Sequence, residues 1–247
     1  MLLSIITVTY NAEKELPATM QSISEQTFGD YEHLVVDGAS SDGTLAVAER
    51  YASGRTRVVS EPDQGLYDAM NKGLRLAEGD YVMFLNAGDA LVGRDALARI
   101  ARGLETGADV AYGQTRVVNV DRRVVGMRHL TAPKRLDADS FKHGMLVCHQ
   151  AFVARLELCP EYDLQYRFSA DYDWCVKVLR RARRCEYVGD EPIVEFLEGG
   201  TTAKNKRKSL WERYVIMCRH YGVWSATLHH LSFIPRALRR RLRKQIK

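Results

Sequence analysis

A chain of 247 residues with 46% hydrophobic and 27% charged residues is large enough to bury a substantial core, and its composition is not that of a disordered or fibrous protein. The net charge of +5 is unevenly spread: residues 204–247 hold 13 Lys/Arg against one acid, Glu212, a net +12, whereas the rest holds 23 against 30, a net −7. Five cysteines, odd in number and without a C-x-x-C pair, argue against a disulfide framework or a zinc site and for reduced thiols in a cytosolic setting.

The start, Met1 to Val8, lacks a basic leader and meets polar Asn11, Glu13 and Lys14 at once, so it reads as a first strand and not as a signal peptide. No apolar run approaches the roughly 18 residues that suggest a membrane span. Residues 13–25 follow as a helix, with Leu16, Met20 and Ile23 at helical spacing. His33 to Val36 form a second strand that stops at Asp37, and Ser40 or Ser41 can cap a helix running to about Tyr51. A third short strand covers 57–60. The next helix places Leu66, Ala69, Met70, Gly73, Leu74 and Ala77 on one inward stripe, with Tyr67, Asp68, Asn71 and Lys72 elsewhere. A strand at 81–85 and a helix at about 94–105 continue the alternation, which implies a mostly parallel sheet.

The second half is less regular. Residues 114–127 look like a hairpin turning near Asn119 to Arg122, and 128–147 read as a loop. Strands are expected at 150–153, 185–188 and 192–197, and helices at 169–183, 206–221 and 223–246, the last interrupted by Pro235. In that last segment Leu231, Ile234, Leu238, Leu242 and Ile246 step at three or four residues among Arg236, Arg239, Arg240, Arg241, Arg243 and Lys244. Such a basic amphipathic helix can lie on an anionic membrane; packing on the body or an oligomer contact is the alternative.

Acidic residues recur where apolar strands stop or helices start: Asp37, Asp63, Asp89, and the pair Asp171 and Asp173. Singly, each is more often a turn or capping residue than a ligand. Together they suggest an acidic crevice at the carboxyl edge of the sheet, where open α/β folds bind ligands. Such a crevice repels phosphates unless a cation bridges them, which favours a metal–diphosphate ligand. Neither G-x-x-x-x-G-K-[ST] nor G-x-G-x-x-G occurs.

Four ordered segments carry a family resemblance: Thr7-Val8-Thr9-Tyr10-Asn11, Val35 to Thr44, Glu61 to Gly73, and Phe84-Leu85-Asn86-Ala87-Gly88-Asp89. They resemble glycosyltransferase family 2, whose members are inverting enzymes with nucleotide-sugar donors. The resemblance covers about 1–115 strongly and extends weakly through His149-Gln150 and Ala170-Asp171-Tyr172-Asp173 to about residue 200. It implies a GT-A fold, that is, an α/β, Rossmann-like, mostly parallel central sheet flanked by helices. Residues 1–203 would form that domain, with 1–115 as the nucleotide-sugar half and 116–203 as the acceptor half, followed by a basic helical tail at 204–247. The Glu61 to Gly73 segment looks most like bacterial enzymes of surface-polysaccharide assembly.

The same resemblance implies roles. Thr9, Asn11 and Asn86 would lie against the donor nucleotide, Asp37 would hydrogen-bond its base, and Asp63 and Lys72 would line its pocket. Asp89 would hold Mg²⁺ or Mn²⁺, and Asp171 would be the base that deprotonates the acceptor hydroxyl. The donor would be a UDP-, GDP- or dTDP-sugar and the acceptor a glycan or a polyprenyl-diphosphate-linked sugar. The enzyme would work in the cytoplasm, peripherally on the cytoplasmic face of the inner membrane, without nucleic acid. His149-Gln150 could meet the acceptor, although a satisfied core histidine is the commoner reading, and Gly199-Gly200-Thr201-Thr202 could close over phosphates. Two departures stand out: the metal signature reads Asn86-Ala87-Gly88-Asp89, with one acid only, and Ala170 replaces the glutamate that often precedes the base. The Q-x-x-R-W motif of processive synthases is missing, which favours one sugar per encounter. A nucleotidyltransferase, a non-catalytic nucleotide-sugar-binding relative and a nucleic-acid binder using the basic tail are the competing readings. The first lacks its Gly-rich, basic loop after strand one, and the last sits poorly with the acidic body.

Overall fold

The computed structural model describes residues 2–199 and 205–231. Its first half alternates β1 (Leu3–Thr9), α1 (Leu16–Ser24), β2 (Tyr31–Asp37), α2 (Thr44–Tyr51), β3 (Thr56–Ser60), α3 (Leu66–Leu76), β4 (Tyr81–Phe84), β5 (Ala90–Leu91) and α4 (Ala96–Glu105). The second half holds β6 (Val110–Val118), β7 (Val124–Met127), β8 (Phe152–Arg155), α5 (Ala170–Arg181) and β9 (Cys185–Leu197), then α6 (Lys206–Tyr221) and α7 (Val223–Leu231).

The strands form one sheet in the order β3-β2-β1-β4-β8-β6-β9-β5, with β7 paired to β6. Its first four strands are parallel, as the alternation predicts. In register, Thr9 sits opposite Asp37 and Asp37 opposite Ser60, so the carboxyl ends of β1, β2 and β3 lie level at one edge. Beyond β4 the sheet is mixed: β8 runs antiparallel to β4 and β6, while β9 runs parallel to β6.

Period-two burial divides the core. Ile6, Val8, Leu34, Val36 and Phe84 pack with α3, α5 and α6 on one face. Leu3, Ile5, Tyr31, Met83 and Leu85 pack with Ile23 of α1 and with Leu97, Ile100 and Leu104 of α4 on the other. Each side is thus covered by helices, the layered arrangement that a parallel sheet requires.

Three expectations are corrected. The segments at 185–188 and 192–197 form one strand, because the ladder to β6 resumes at Pro192 after residues 188–191 bulge out around Gly189, whose φ is +112°. Residues 128–147 contain a 3₁₀ helix, Ala138–His143, closed by a reciprocal cap between Asp137 and Ser140. Tyr67 and Asn71 do not lie off the inward face of α3; both are buried, because this helix is covered by the sheet and again by the chain around Tyr162.

The expected tail begins as part of the body. Ile216, Met217 and Ala226 of α6 and α7 join the same apolar cluster as Trp174 of α5. Asp173 of α5 is buried and pairs with Lys177 at 2.6 Å and with His220 of α6 at 2.7 Å. Burial pushes its carboxyl up, but the bonds from His220 and Lys177 outweigh this and hold it below the usual range. No helix among the described residues is long and apolar enough to cross a membrane. Most of the amphipathic stretch that follows Leu231, and the segment Gly200 to Thr202, lie outside the described residues.

Candidate active site

The carboxyl edge of the sheet is built by interlocked loops. Asn11 takes the left-handed conformation, φ +47°, and its Oδ1 accepts the Ser41 N–H at 2.9 Å, while its own N–H donates to Ser40 Oγ at 2.8 Å. This ties the end of β1 to the turn after β2. Asp37 is fully buried; its carboxylate accepts from the Ser40 N–H at 2.9 Å, the Ser40 hydroxyl at 2.5 Å and the Ser60 hydroxyl at 2.7 Å. Three of its roughly four acceptor positions are thereby spent on joining β2, its turn and β3. Thr9 Oγ1 is buried at this edge without a protein partner.

The Glu61–Asp63 loop closes the same edge. Asp63 accepts the Gly65 N–H at 2.7 Å and sits directly over Gly38, where any Cβ would collide with its carboxylate and crowd the Tyr10 ring. Lys72 donates to the Pro62 carbonyl at 2.6 Å and pairs with Glu61 at 2.9 Å, so its charge is used within this loop.

After β4 the chain makes the Asn86–Asp89 turn. Thr19 of α1 holds it from beneath: its hydroxyl donates to the Asp89 carbonyl at 2.6 Å and accepts the Gly88 N–H at 2.9 Å. Arg122 holds it from the β6–β7 turn, donating to the Gly88 carbonyl at 2.6 Å while pairing with Glu195 at 2.5 Å. Gly88 has φ +98°, and a Cβ there would lie 2.9 Å from Leu197 Cδ2. A side chain at this position is therefore strained by the backbone conformation, and the Leu197 tip would have to shift to admit it.

Asp89 is buried, and its Oδ1 accepts the Leu197 N–H at 2.9 Å. Burial pushes its carboxyl up to about 7, against the opposing pull of Leu197, the Gln150 amide and the Arg122 charge. Asn86 Oδ1 is buried without a partner. Among the described residues no group of three or more His, Cys, Asp or Glu is placed to hold a metal. The side-chain oxygen donors of this turn are the Asp89 carboxylate and the orphaned Asn86 oxygen. That sparse oxygen set suits Mg²⁺ or Mn²⁺ bound together with a diphosphate.

Asp171 lies in the first turn of α5, partly exposed. Its Oδ1 accepts the Tyr172 N–H at 2.9 Å and the Tyr67 hydroxyl at 3.3 Å. Burial and then the Asp171 charge push the Tyr67 hydroxyl well above its ordinary range, so it remains a donor. The 148–150 segment lies between the two carboxylates: His149 stacks on Phe84 of β4 and meets the Tyr162 hydroxyl, and Tyr162 stacks on Tyr67, the donor to Asp171.

His149 itself is a core residue. It stacks on Phe84 with centroids 5.1 Å apart, and its Nε2 lies 2.7 Å from the Tyr162 hydroxyl. Burial lowers its pKa to about 4. Trp174 is likewise buried, stacked on Tyr162 at 5.3 Å. The sequence places Tyr67 off the inward face of α3 and gives no role to Thr19, Arg122 or Glu195; of these only Thr19, a polar residue among the apolar positions of α1, carries a sequence signal.

The sequence model of the family described as "Glycosyl transferase family 2" matches residues 4–159. A Mycobacterium bovis "PGL/p-HBAD biosynthesis glycosyltransferase" is 37% identical over 182 residues, covering 70% of this chain and 68% of its own. The Escherichia coli "UDP-Glc:alpha-D-GlcNAc-diphosphoundecaprenol beta-1,3-glucosyltransferase WfgD" is 26% identical over 181 residues, 72% of this chain and 70% of its own. Among solved structures, S. aureus TarS 1-349 superposes with a TM-score of 0.71 at 19% identity, covering 94% of this chain and 72% of its own. The mannosyltransferase PcManGT from Pyrobaculum calidifontis, in complex with GDP-Man and Mn²⁺, superposes at 0.64 with 18% identity, covering 92% and 73%.

Proposed function

The chain belongs to glycosyltransferase family 2, and from that premise we propose that it moves one sugar, with inversion, from a nucleotide-diphosphate sugar to a hydroxyl of a glycan or lipid-linked acceptor. The observation that carries this reading is a chain of contacts running from the strand that leads into the Asn86–Asp89 turn to Asp171: Phe84 stacks on His149, His149 meets the Tyr162 hydroxyl, Tyr162 stacks on Tyr67, and the Tyr67 hydroxyl donates to Asp171. Inversion needs only two charged groups: one near the departing diphosphate and one near the incoming oxygen.

In this reading the nucleotide lies along the edge made by Thr9, Asn11, Asp37 and Asp63, with Lys72 holding the loop that carries Asp63. Asp37 fixes the shape of that edge through its bonds to Ser40 and Ser60. The diphosphate lies at the Asn86–Asp89 turn, and a bound Mg²⁺ or Mn²⁺ would neutralise charge on the leaving diphosphate there. Asp171 takes the proton of the acceptor hydroxyl as the new bond forms. Tyr67, fixed on α3, orients that carboxylate by donating to Oδ1. The sugar passes through an oxocarbenium-like state comparable to that of glycoside hydrolysis. The WfgD name, with its diphosphoundecaprenol acceptor, supports a lipid-linked acceptor in bacterial surface-glycan synthesis. The basic stretch after Leu231 supports peripheral attachment to an anionic membrane.

Asp171→Asn tests the base. Donor binding, read as a thermal shift with UDP-, GDP- and dTDP-sugars with and without Mn²⁺, is expected to match the wild type. Transfer should fall by about 10²-fold or more. Transfer at wild-type rates by this variant would remove Asp171 from the role.

A further inference from the structure

A second feature of the site carries the opposite charge. Arg167 and Phe168, just before α5, meet Arg207, Lys208 and Trp211 of α6 around an open cleft of about 500 Å³. Glu212 is the acid on its wall, and its two oxygens already accept the Arg167 and Phe168 N–H groups at 3.0 and 2.8 Å. The side chains of Arg167, Arg207 and Lys208 are therefore three exposed cations without an ion-pair partner among the described residues. The cleft adjoins the candidate base: Arg167 and Phe168 run directly into Ser169, the N-cap of the helix bearing Asp171. Ser169 in turn donates to the Ser209 carbonyl of α6 at 3.1 Å.

We infer that this cleft receives the phosphate-bearing head of the acceptor, and that the acceptor is an anionic amphiphile, a lipid-linked phosphate or diphosphate. The inference rests on Asp171 being the base. An acceptor hydroxyl held at Asp171 leaves the remainder of its molecule to extend past residues 167–168. A neutral glycan gains little from three cations, whereas a diphosphate can take a charge-assisted bond from each. The donor diphosphate has its own place at the Asn86–Asp89 turn, so these cations are not required for it. Trp211 stands exposed beside the cations, and Trp224, Leu228 and Leu231 form an exposed apolar row at i, i+4 and i+7 on α7, opposite buried Ala226. Tyr214 links the two helices, 5.8 Å from the Trp211 ring and 2.9 Å from Thr227 Oγ1. A polar head at the cleft thus has apolar surface next to it for a lipid chain.

Calorimetric titration of the full chain with farnesyl diphosphate, farnesol and inorganic pyrophosphate tests this. Farnesyl diphosphate is expected to bind at least about tenfold tighter than either of the others, and the triple variant R167Q/R207Q/K208Q to lose about tenfold or more of that affinity. The variant should keep the wild-type thermal shift with the nucleotide-sugar donor. Equal binding of farnesol, equal binding of pyrophosphate, or an unchanged affinity in the triple variant would each overturn the assignment. A wild-type protein that binds farnesyl diphosphate but no nucleotide-sugar would instead overturn the transferase reading.

Discussion

At the scale of single residues, the Asn86–Asp89 turn shows how a site with one acid is kept in shape. Thr19 uses one hydroxyl for two jobs, donating to the Asp89 carbonyl and accepting from the Gly88 N–H. Thr19→Val keeps the shape of the side chain and orphans both backbone groups in a buried place. A loss of about 1–3 kcal/mol is expected, with a lower denaturant midpoint at unchanged slope. Thr19→Ser should restore most of it. If valine proves as stable as threonine, the hydroxyl is not what holds the turn. Gly88→Ala is expected to cost about 1–3 kcal/mol through the positive φ, with Leu197 shifting to make room, and is read as a lower urea midpoint. Thr19 stood out in the sequence only as a polar residue among apolar positions, and its partner was not legible, because Gly88 lies 69 residues away; Arg122, 34 residues from Gly88, carried no signal. The acids themselves were legible, since a strand that stops at an aspartate can be seen in the sequence. What each acid does was less so: Asp37 fastens loops, and Asp173 pairs with α6.

At the scale of elements, β1 and β2 are joined by more than their ladder. Thr7 Oγ1 donates to the Leu85 carbonyl at 2.8 Å and lies 2.9 Å from His33 Nε2. A hydroxyl has one proton, so His33 must donate to Thr7, which fixes the Nε2–H form of a buried imidazole. Burial lowers the His33 pKa to about 4 from 6.5. A folded pKa below the unfolded one contributes stability that is present above pH 6.5 and is lost as the pH falls toward 4. Between pH 7 and pH 5 this histidine alone should cost about 2 kcal/mol. His149 acts in the same direction, whereas Asp89, raised to about 7, gains stability over the same descent. The clean measurement is therefore a difference: His33→Gln should flatten the fall in urea midpoint between pH 7 and pH 5 relative to wild type. Parallel profiles would mean that His33 does not titrate as proposed. The first four strands and α1 to α5 were legible from periodicity, because their burial pattern is local. The two-residue β5, the placement of β8 between β4 and β6, and the continuity of β9 through its bulge were not, because each depends on a partner strand far along the chain.

At the scale of the whole molecule, the charge asymmetry does not coincide with the packing boundary. Positive charge begins to dominate at residue 204, yet α6 and α7 share the core, and Glu212 of α6 fastens the two N–H groups that lead into the Asp171 helix. The contrast comes from two separate demands on the tail: residues 205–231 supply apolar area to cover α5, and 232–247 supply seven Lys/Arg. Two truncations separate them. Deleting 205–247 removes Ile216, Met217 and Ala226 and uncovers their partners on α5, and the shortened chain is expected to lose its cooperative melting transition. Deleting only 232–247 removes the seven basic residues and none of the described core, so the melting temperature and the donor-induced shift should hold. If the basic stretch attaches the protein to membranes, co-sedimentation with vesicles rich in phosphatidylglycerol should drop steeply in the shorter deletion, since each Lys/Arg near an anionic surface contributes about 1 kcal/mol. The wild-type association should also weaken with salt, because salt screens the attraction between the seven Lys/Arg of the tail and the anionic surface. Undiminished co-sedimentation by the chain ending at Leu231 would move the contact onto the exposed Trp211, Trp224 and Leu228 instead, and salt would then matter little.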